Sequence, residues 1–120
     1  MPGKFEVKVA KNGQFYFNLK AGNGEVILTS EMYKAKTSAL NGIESVKKNS
    51  QIDKRFVTKT STSKKPFFVL RAGNHEVIGK SEMYESEKAC GNGITSVKKN
   101  AAGAKTDDQT APKAKAAGAA

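Results

Sequence analysis

The residues able to do covalent chemistry are few. The chain has one histidine, His75, and one cysteine, Cys90. A nucleophilic pair would need the thiol within hydrogen-bond reach of the imidazole. Cys90 stands where an earlier, related stretch has Ala39, on the apolar side of a helical pattern, so it reads as a buried small hydrophobe. His75 stands in a turn, at a position where the related stretch has Gly24. One imidazole and one thiol do not make up a zinc ligand set. Paired carboxylates offer acid–base chemistry in principle. Glu25 and Glu76, and Glu31 and Glu82, occur twice only because a longer stretch occurs twice. The last two follow Ser30 and Ser81, which suits capping of a helical turn. No catalytic, cofactor-binding or metal-ligating residue is assigned, and the chain is expected not to be an enzyme.

The remaining chemistry is electrostatic. Phe5, Val7 and Val9 alternate with Lys4, Glu6 and Lys8, and Phe15, Phe17 and Leu19 alternate with Tyr16, Asn18 and Lys20. Alternation at period two places the two sets on opposite faces of a sheet. If the phenylalanines face a core, the other face carries Lys8, Tyr16 and Lys20. A second stretch supplies Lys59, Phe67 and Arg71, with Arg55 beside them. Basic residues interleaved with an aromatic can track phosphates and stack bases. Lys8, Tyr16, Lys20, Lys59, Phe67 and Arg71 are therefore the candidate nucleic-acid face. Glu6 interrupts it, and Val57 and Val69 make its second half partly apolar, which also suits packing against another sheet or chain.

These residues are positioned by a repeat. Leu19 to Asn49 aligns with Leu70 to Asn100 at an offset of 51, and 19 of the 31 pairs are identical. Within each copy the periodicity gives three strands and then a helix. Lys11-Asn12-Gly13-Gln14 marks a hairpin, and Gly22-Asn23-Gly24 marks a second turn. From about Lys34 the period lengthens, and Ala39, Ile43 and Val46 (Cys90, Ile94 and Val97 in the copy) mark one face of a helix. Gly42 and Gly93 fall inside these helices, where glycine costs about 0.5–1 kcal/mol relative to alanine; close backbone approach, helix to sheet or helix to helix, is the expected compensation. Met32-Tyr33 and Met83-Tyr84 precede each helix and are expected to plug the gap between helix and sheet. Lys47-Lys48 and Lys98-Lys99 are expected in the last helical turns, against the negative end of the helix dipole.

The expected architecture is α+β: two tandem βββα repeats forming one pseudo-two-fold symmetric domain, an antiparallel sheet with the helices packed on one face. Residues 1–100 form that domain, from repeat 1 (3–50) and repeat 2 (54–100). Residues 101–120 lack aromatic, Val, Ile and Leu residues and are expected to be a disordered Ala/Lys-rich tail. The formal net charge is +10, which bears on solubility and anionic partners rather than on fold. No apolar run approaches the roughly 20 residues of a transmembrane helix, and no secretory signal opens the chain. A cytoplasmic monomer without membrane association is expected.

The tandem LKAGNGEVILTSEMY and NGIESVKKN motifs, over residues 3–100, resemble the YegP-like family of small bacterial proteins. The resemblance implies an α+β fold of two related βββα units, or of two single-unit chains paired. It implies no activity, cofactor or site residue. The function expected is a small non-catalytic binding or interaction protein of unknown partner. The alternative is weakly specific single-stranded nucleic-acid binding through the basic and aromatic strand face.

Overall fold

In the computed structural model, residues 3–110 are described. Alternating apolar residues form β1 (Lys4–Val9), β2 (Phe15–Lys20) and β3 (Val26–Thr29), and the lengthened period forms helix α1 (Lys36–Asn49). A short 3-10 turn at Asp53–Arg55 leads into β4 (Phe56–Thr60), β5 (Pro66–Arg71) and β6 (Val77–Lys80), then helix α2 (Glu87–Gly103) and a last strand, β7 (Lys105–Asp108). All strands join one sheet in the order β4-β5-β6-β3-β2-β1-β7. Each unit's first strand pairs within its own unit, β1 with β2 and β4 with β5. The units meet at Thr29↔Lys80, two positions related by the 51-residue offset, as a two-fold axis between β3 and β6 requires.

The core lies between the sheet and the two helices. Phe5, Val7, Phe17, Leu19, Leu28, Phe68 and Leu70 project from the strands onto Ala39, Ile43, Val46, Cys90 and Val97 of the helices. Tyr33 stacks on Phe17 and Tyr84 on Phe68, with planes 10° apart in both pairs. These rings explain the helical glycines. A Cβ at Gly42 would lie 2.5 Å from the Tyr33 hydroxyl and 3.0 Å from Phe17, and one at Gly93 would overlap the Tyr84 hydroxyl. The backbone approach expected at the glycines is thus corrected: tyrosine and phenylalanine side chains, not another backbone, occupy the space beside them. The methionines do not share that role: Met32 and Met83 are 50% and 43% exposed.

Four other expectations are corrected. The sheet is mixed, because β7 pairs with β1 in parallel. Residues 101–108 are not a disordered tail: α2 runs to Gly103, Ala101 and Ala104 are buried, and β7 completes the β1 edge. Alanine is the best helix former, and a strand held by backbone hydrogen bonds needs no large apolar side chain. Residues 111–120 lie outside the described residues. Because α2 continues, Lys98 and Lys99 are not in its last turn, whereas Lys47 and Lys48 do end α1. Finally, Ser30 and Ser81 cap no helix. Each hydroxyl accepts from a strand amide, Phe17 N or Phe68 N, at 2.9 Å. Ser86 caps α2, accepting from Ala89 N, and α1 has no side-chain cap.

Candidate anion-binding face

The helices cover one face of the sheet and leave the other open. Strand alternation sends Lys8, Tyr16 and Lys20 to the open face of the first unit, and Lys59, Phe67 and Arg71 to that of the second. Lys8 lies opposite Tyr16 in the β1–β2 register, and Lys59 opposite Phe67 in β4–β5. The structure brings the six together only as two separate groups of three. Strands β3 and β6 stand between them.

The two groups differ in their charge balance. In the first, Glu6 is 3% exposed. Its carboxylate lies 3.1 Å from Lys20 Nζ, 3.4 Å from Lys4 Nζ and 3.9 Å from Lys8 Nζ. Oε1 faces Lys20 and Lys8 without an aligned hydrogen bond, so charge rather than hydrogen-bond geometry holds that oxygen. Burial pushes the Glu6 carboxyl up, but the ammonium groups of Lys20 and Lys4 outweigh it and hold the pKa below its usual value. Strand β7 adds Asp107, in register with Glu6 and 3.5 Å from Lys4. The Gln109 amide donates to both carboxylates, at 3.1 Å to Glu6 and 3.0 Å to Asp107. Asp108 accepts from Lys36 at 2.7 Å. That bond, helped by Thr110, lowers its carboxyl pKa to about 2. Two of the residues expected to contact phosphate, Lys8 and Lys20, are thus already paired within the chain.

In the second group the basic scaffold recurs without its anion. Lys4, Lys8 and Lys20 correspond to Arg55, Lys59 and Arg71, but Glu6 corresponds to Val57. Lys80 is added where the first unit has Thr29, and its Nζ sits 5.1 Å from the centroid of the Phe67 ring. Arg55, Lys59, Arg71 and Lys80 form no ion pair among the described residues. The Nε atoms of Arg55 and Arg71 are buried and have no hydrogen-bond partner. Both arginines line one cleft with Lys54, Gly73 and His75, and the Arg55 guanidinium lies 3.5 Å from the Cβ position of Gly73. The paired terminal nitrogens of a planar guanidinium suit bidentate binding of a carboxylate or phosphate.

The sequence pattern placed Lys59, Phe67 and Arg71 on this face but did not single out Lys80 or the Arg55–Arg71 cleft. Comparing the copies residue by residue, Glu6 against Val57 and Thr29 against Lys80, carries that signal. Cys90 is buried, and burial raises its thiol pKa; His75 is exposed in its turn, with φ +74°. Among the described residues, no helix is long and apolar enough to cross a membrane.

Comparisons with known proteins agree with this architecture. The model of a domain of unknown function, DUF1508, matches twice, at residues 10–56 and 61–108. Both matches run past the helix of their unit, and the second takes in β7. The UPF0339 protein YegP of Yersinia pestis is 57% identical over 98 residues, 82% of this chain and 88% of that protein. A UPF0339 protein of Acinetobacter baylyi is 54% identical over 110 residues, 92% of this chain and 99% of that protein. The solution structure of a UPF0339 protein from Shewanella oneidensis superposes with a TM-score of 0.86 at 50% identity, covering 92% of this chain and 93% of that one. That of yegP from E. coli, described as a protein of unknown function, gives 0.88 at 46% identity, covering 93% and 97%. With both repeats matched, and with relatives aligned over most of their length, this chain belongs to the DUF1508 family, a family of unknown function, as two tandem copies of its domain.

Proposed function

We propose that the protein is a non-catalytic, cytoplasmic binding protein, monomeric by itself, that takes an anionic partner on the second unit's half of the open sheet face. One observation carries this reading. The same basic scaffold occurs twice, and a buried carboxylate, Glu6, satisfies it only in the first unit. In the second, Val57 replaces that carboxylate and leaves Arg55, Lys59 and Arg71 without an ion pair among the described residues. Cations gathered without a counter-charge repel one another, so an anion bound from outside is stabilised by all of them.

Single-stranded nucleic acid is the second reading, favoured by half-exposed Phe67 among these cations. A base stacking on the Phe67 ring would have to displace the Lys80 ammonium or share the ring with it. In this reading Lys59, Phe67 and Arg71 carry the contact, and Lys8, Tyr16 and Lys20 contribute less because Glu6 holds their lysines.

The test is binding of polyglutamate and of oligothymidylate at low and moderate salt. Lys59→Glu with Arg71→Glu should abolish binding of whichever anion is taken, whereas Lys8→Glu should change it little. Binding that persists unchanged in the double variant would sink the reading. So would the absence of binding to either probe at low salt, where phosphate- and carboxylate-driven association is strongest.

A further inference from the structure

The two outer edges of the sheet are not equivalent. Among the described residues, the β1 edge is covered by β7, whereas β4 pairs only with β5. The consequence shows at matched positions. Val7 is fully buried, while its counterpart Thr58 is exposed on the same side of the sheet. An edge strand left open presents a row of unpaired backbone N–H and C=O groups that can accept another strand.

We infer that the β4 edge docks an acidic extended segment of a partner protein, in parallel, as β7 docks on β1. The inference rests on the anionic-partner reading of this face and names the form the partner takes. The chain supplies its own precedent. In the β1–β7 register Lys105, Thr106, Asp107 and Asp108 lie opposite Lys4, Phe5, Glu6 and Val7. Asp107 reaches Lys4, and Asp108 reaches Lys36, the first residue of α1. Moved by 51 positions, the edge presents Arg55, Phe56, Val57 and Thr58. A carboxylate opposite Val57 would meet Arg55 with no Glu6 to compete, and with Arg71 beside it. A carboxylate opposite Thr58 would meet Glu87, which opens α2 where Lys36 opens α1. The site therefore selects an acid at one position and rejects it at the next.

That selection also argues against occupants from this chain itself. A second copy's β7 would place Asp108 against Glu87. A second copy's β4 would bring Lys59 and Arg55 against their equals, and lysine on an edge opposes such pairing. Residues 111–120 contain two lysines and no Asp or Glu.

The experiment titrates the isotope-labelled full chain with a peptide of its own residues 104–110 carrying Asp108→Asn. The expected result is shifted and exchange-protected backbone amides at residues 56–60, with residues 4–9 unchanged. Replacing Asp107 of the peptide with Asn should weaken binding roughly fivefold, the size of one partly exposed ion pair. Glu87→Lys in the protein should improve binding of the unaltered peptide. Shifts at Arg55 and Arg71 without amide protection in β4 would overturn strand docking while leaving the anionic-partner reading standing. Failure of the peptide, polyglutamate and oligothymidylate alike would overturn both. An oligothymidylate that binds at Arg55 and Arg71 more than tenfold tighter than any peptide would overturn the partner class. A concentration-dependent dimer joined through β4 would replace the partner with a second copy.

Discussion

Leu28 lies over Gly79, its own counterpart across the sheet. A Cβ built on Gly79 would stand 2.6 Å from Leu28 Cδ2. The two positions meet near the axis that relates the units, where the core has room for one large side chain. Leucine in one copy and glycine in the other fill the space that two leucines would overfill and two glycines would leave empty. Gly79→Leu should therefore destabilise the protein by about 1–3 kcal/mol through overpacking. Leu28→Ala should cost about 2–5 kcal/mol through the cavity it leaves. The double variant, Leu28→Ala with Gly79→Leu, should recover much of the loss because the new leucine at 79 fills the space vacated at 28. A denaturant-unfolding double-mutant cycle measures the coupling; strict additivity of the two single changes would show that the side chains do not share one space.

The helical glycines make a second prediction. Gly42→Ala places a methyl group 2.5 Å from the Tyr33 hydroxyl, so it should destabilise by about 1–3 kcal/mol despite alanine's better helix propensity. Tyr33→Phe removes the nearest atom and should recover part of that loss. Phe17 would remain 3.0 Å from the new methyl, so recovery should be incomplete. Thermal melts of the two single variants and the double variant test this. An unaltered melting temperature in Gly42→Ala would mean that the helix moves away from the ring freely.

Much of this fold is legible in the sequence, and the misses share a cause. The strands follow from alternation such as Phe15, Phe17 and Leu19, and the helices from Ala39, Ile43 and Val46, because both patterns are apolar. Strand β7 is not legible that way. Lys-Thr-Asp-Asp is held by backbone pairing with β1 and by Lys4 and Lys36, residues about 70 to 100 positions away in sequence. The candidate face is legible in part for the same reason. Alternation assigns Lys59, Phe67 and Arg71 to one side, but the pairing of Lys8 and Lys20 with a buried Glu6 depends on the cross-strand register.

That pairing makes docking of β7 sensitive to pH. Asp108 has its pKa lowered to about 2 by Lys36 and Thr110, and Glu6 is also held below its usual value by Lys20 and Lys4. A carboxyl whose folded pKa is depressed contributes stability above its unfolded pKa and loses it as pH falls through the folded one. The β7 edge should therefore be intact above about pH 4, near the unfolded values of both groups. It should loosen toward pH 2. Asp108 is partly exposed, so the effect is screened, and added salt should shrink it. Amide exchange at Lys105–Asp108 and Gln109 across this range is the measurement. Protection that is indifferent to pH would assign β7's docking to its backbone bonds alone.

Two turns carry left-handed backbone without glycine. Lys64 has φ +66° and His75 φ +74°, where the first unit has Gly13 at +84° and Gly24 at +89°. The left-handed conformation costs a residue with a Cβ roughly 1–2 kcal/mol, and glycine loses about 0.5–1 kcal/mol more backbone entropy on folding. The difference predicts that Lys64→Gly and His75→Gly each leave stability unchanged or raise it by up to about 1 kcal/mol. Their positions in separate turns should make the gains additive. Equilibrium unfolding of the single and double variants tests this, and a loss above 1 kcal/mol at His75 would reveal a role for its imidazole beyond the turn.

The contrast between Glu6 and Val57 gives the last prediction, because the two positions can be exchanged. Val57→Glu places a carboxylate among Arg55, Lys59 and Arg71, as Glu6 is placed among Lys4, Lys8 and Lys20. The new group has cations on the neighbouring strand and on its own, so the fold should survive with a stability change within about 1 kcal/mol. Anion binding by the second unit should fall sharply, since its counter-charge is then supplied from within. Glu6→Val works in the opposite sense: it frees Lys4, Lys8 and Lys20, leaves Asp107 as the nearby carboxylate, and should create weak anion binding on the first unit. Polyglutamate binding in the two single variants and in the double exchange separates local charge pairing from total charge. Val57→Glu lowers the net charge by one and Glu6→Val raises it by one, so the double exchange restores it. If binding follows total charge, the double exchange will behave as the unmodified protein at its original site. If it follows the local pairing, binding will move from Arg55 and Arg71 to Lys4 and Lys20, visible as a transfer of ligand-induced amide shifts from β4 and β5 to β1 and β2.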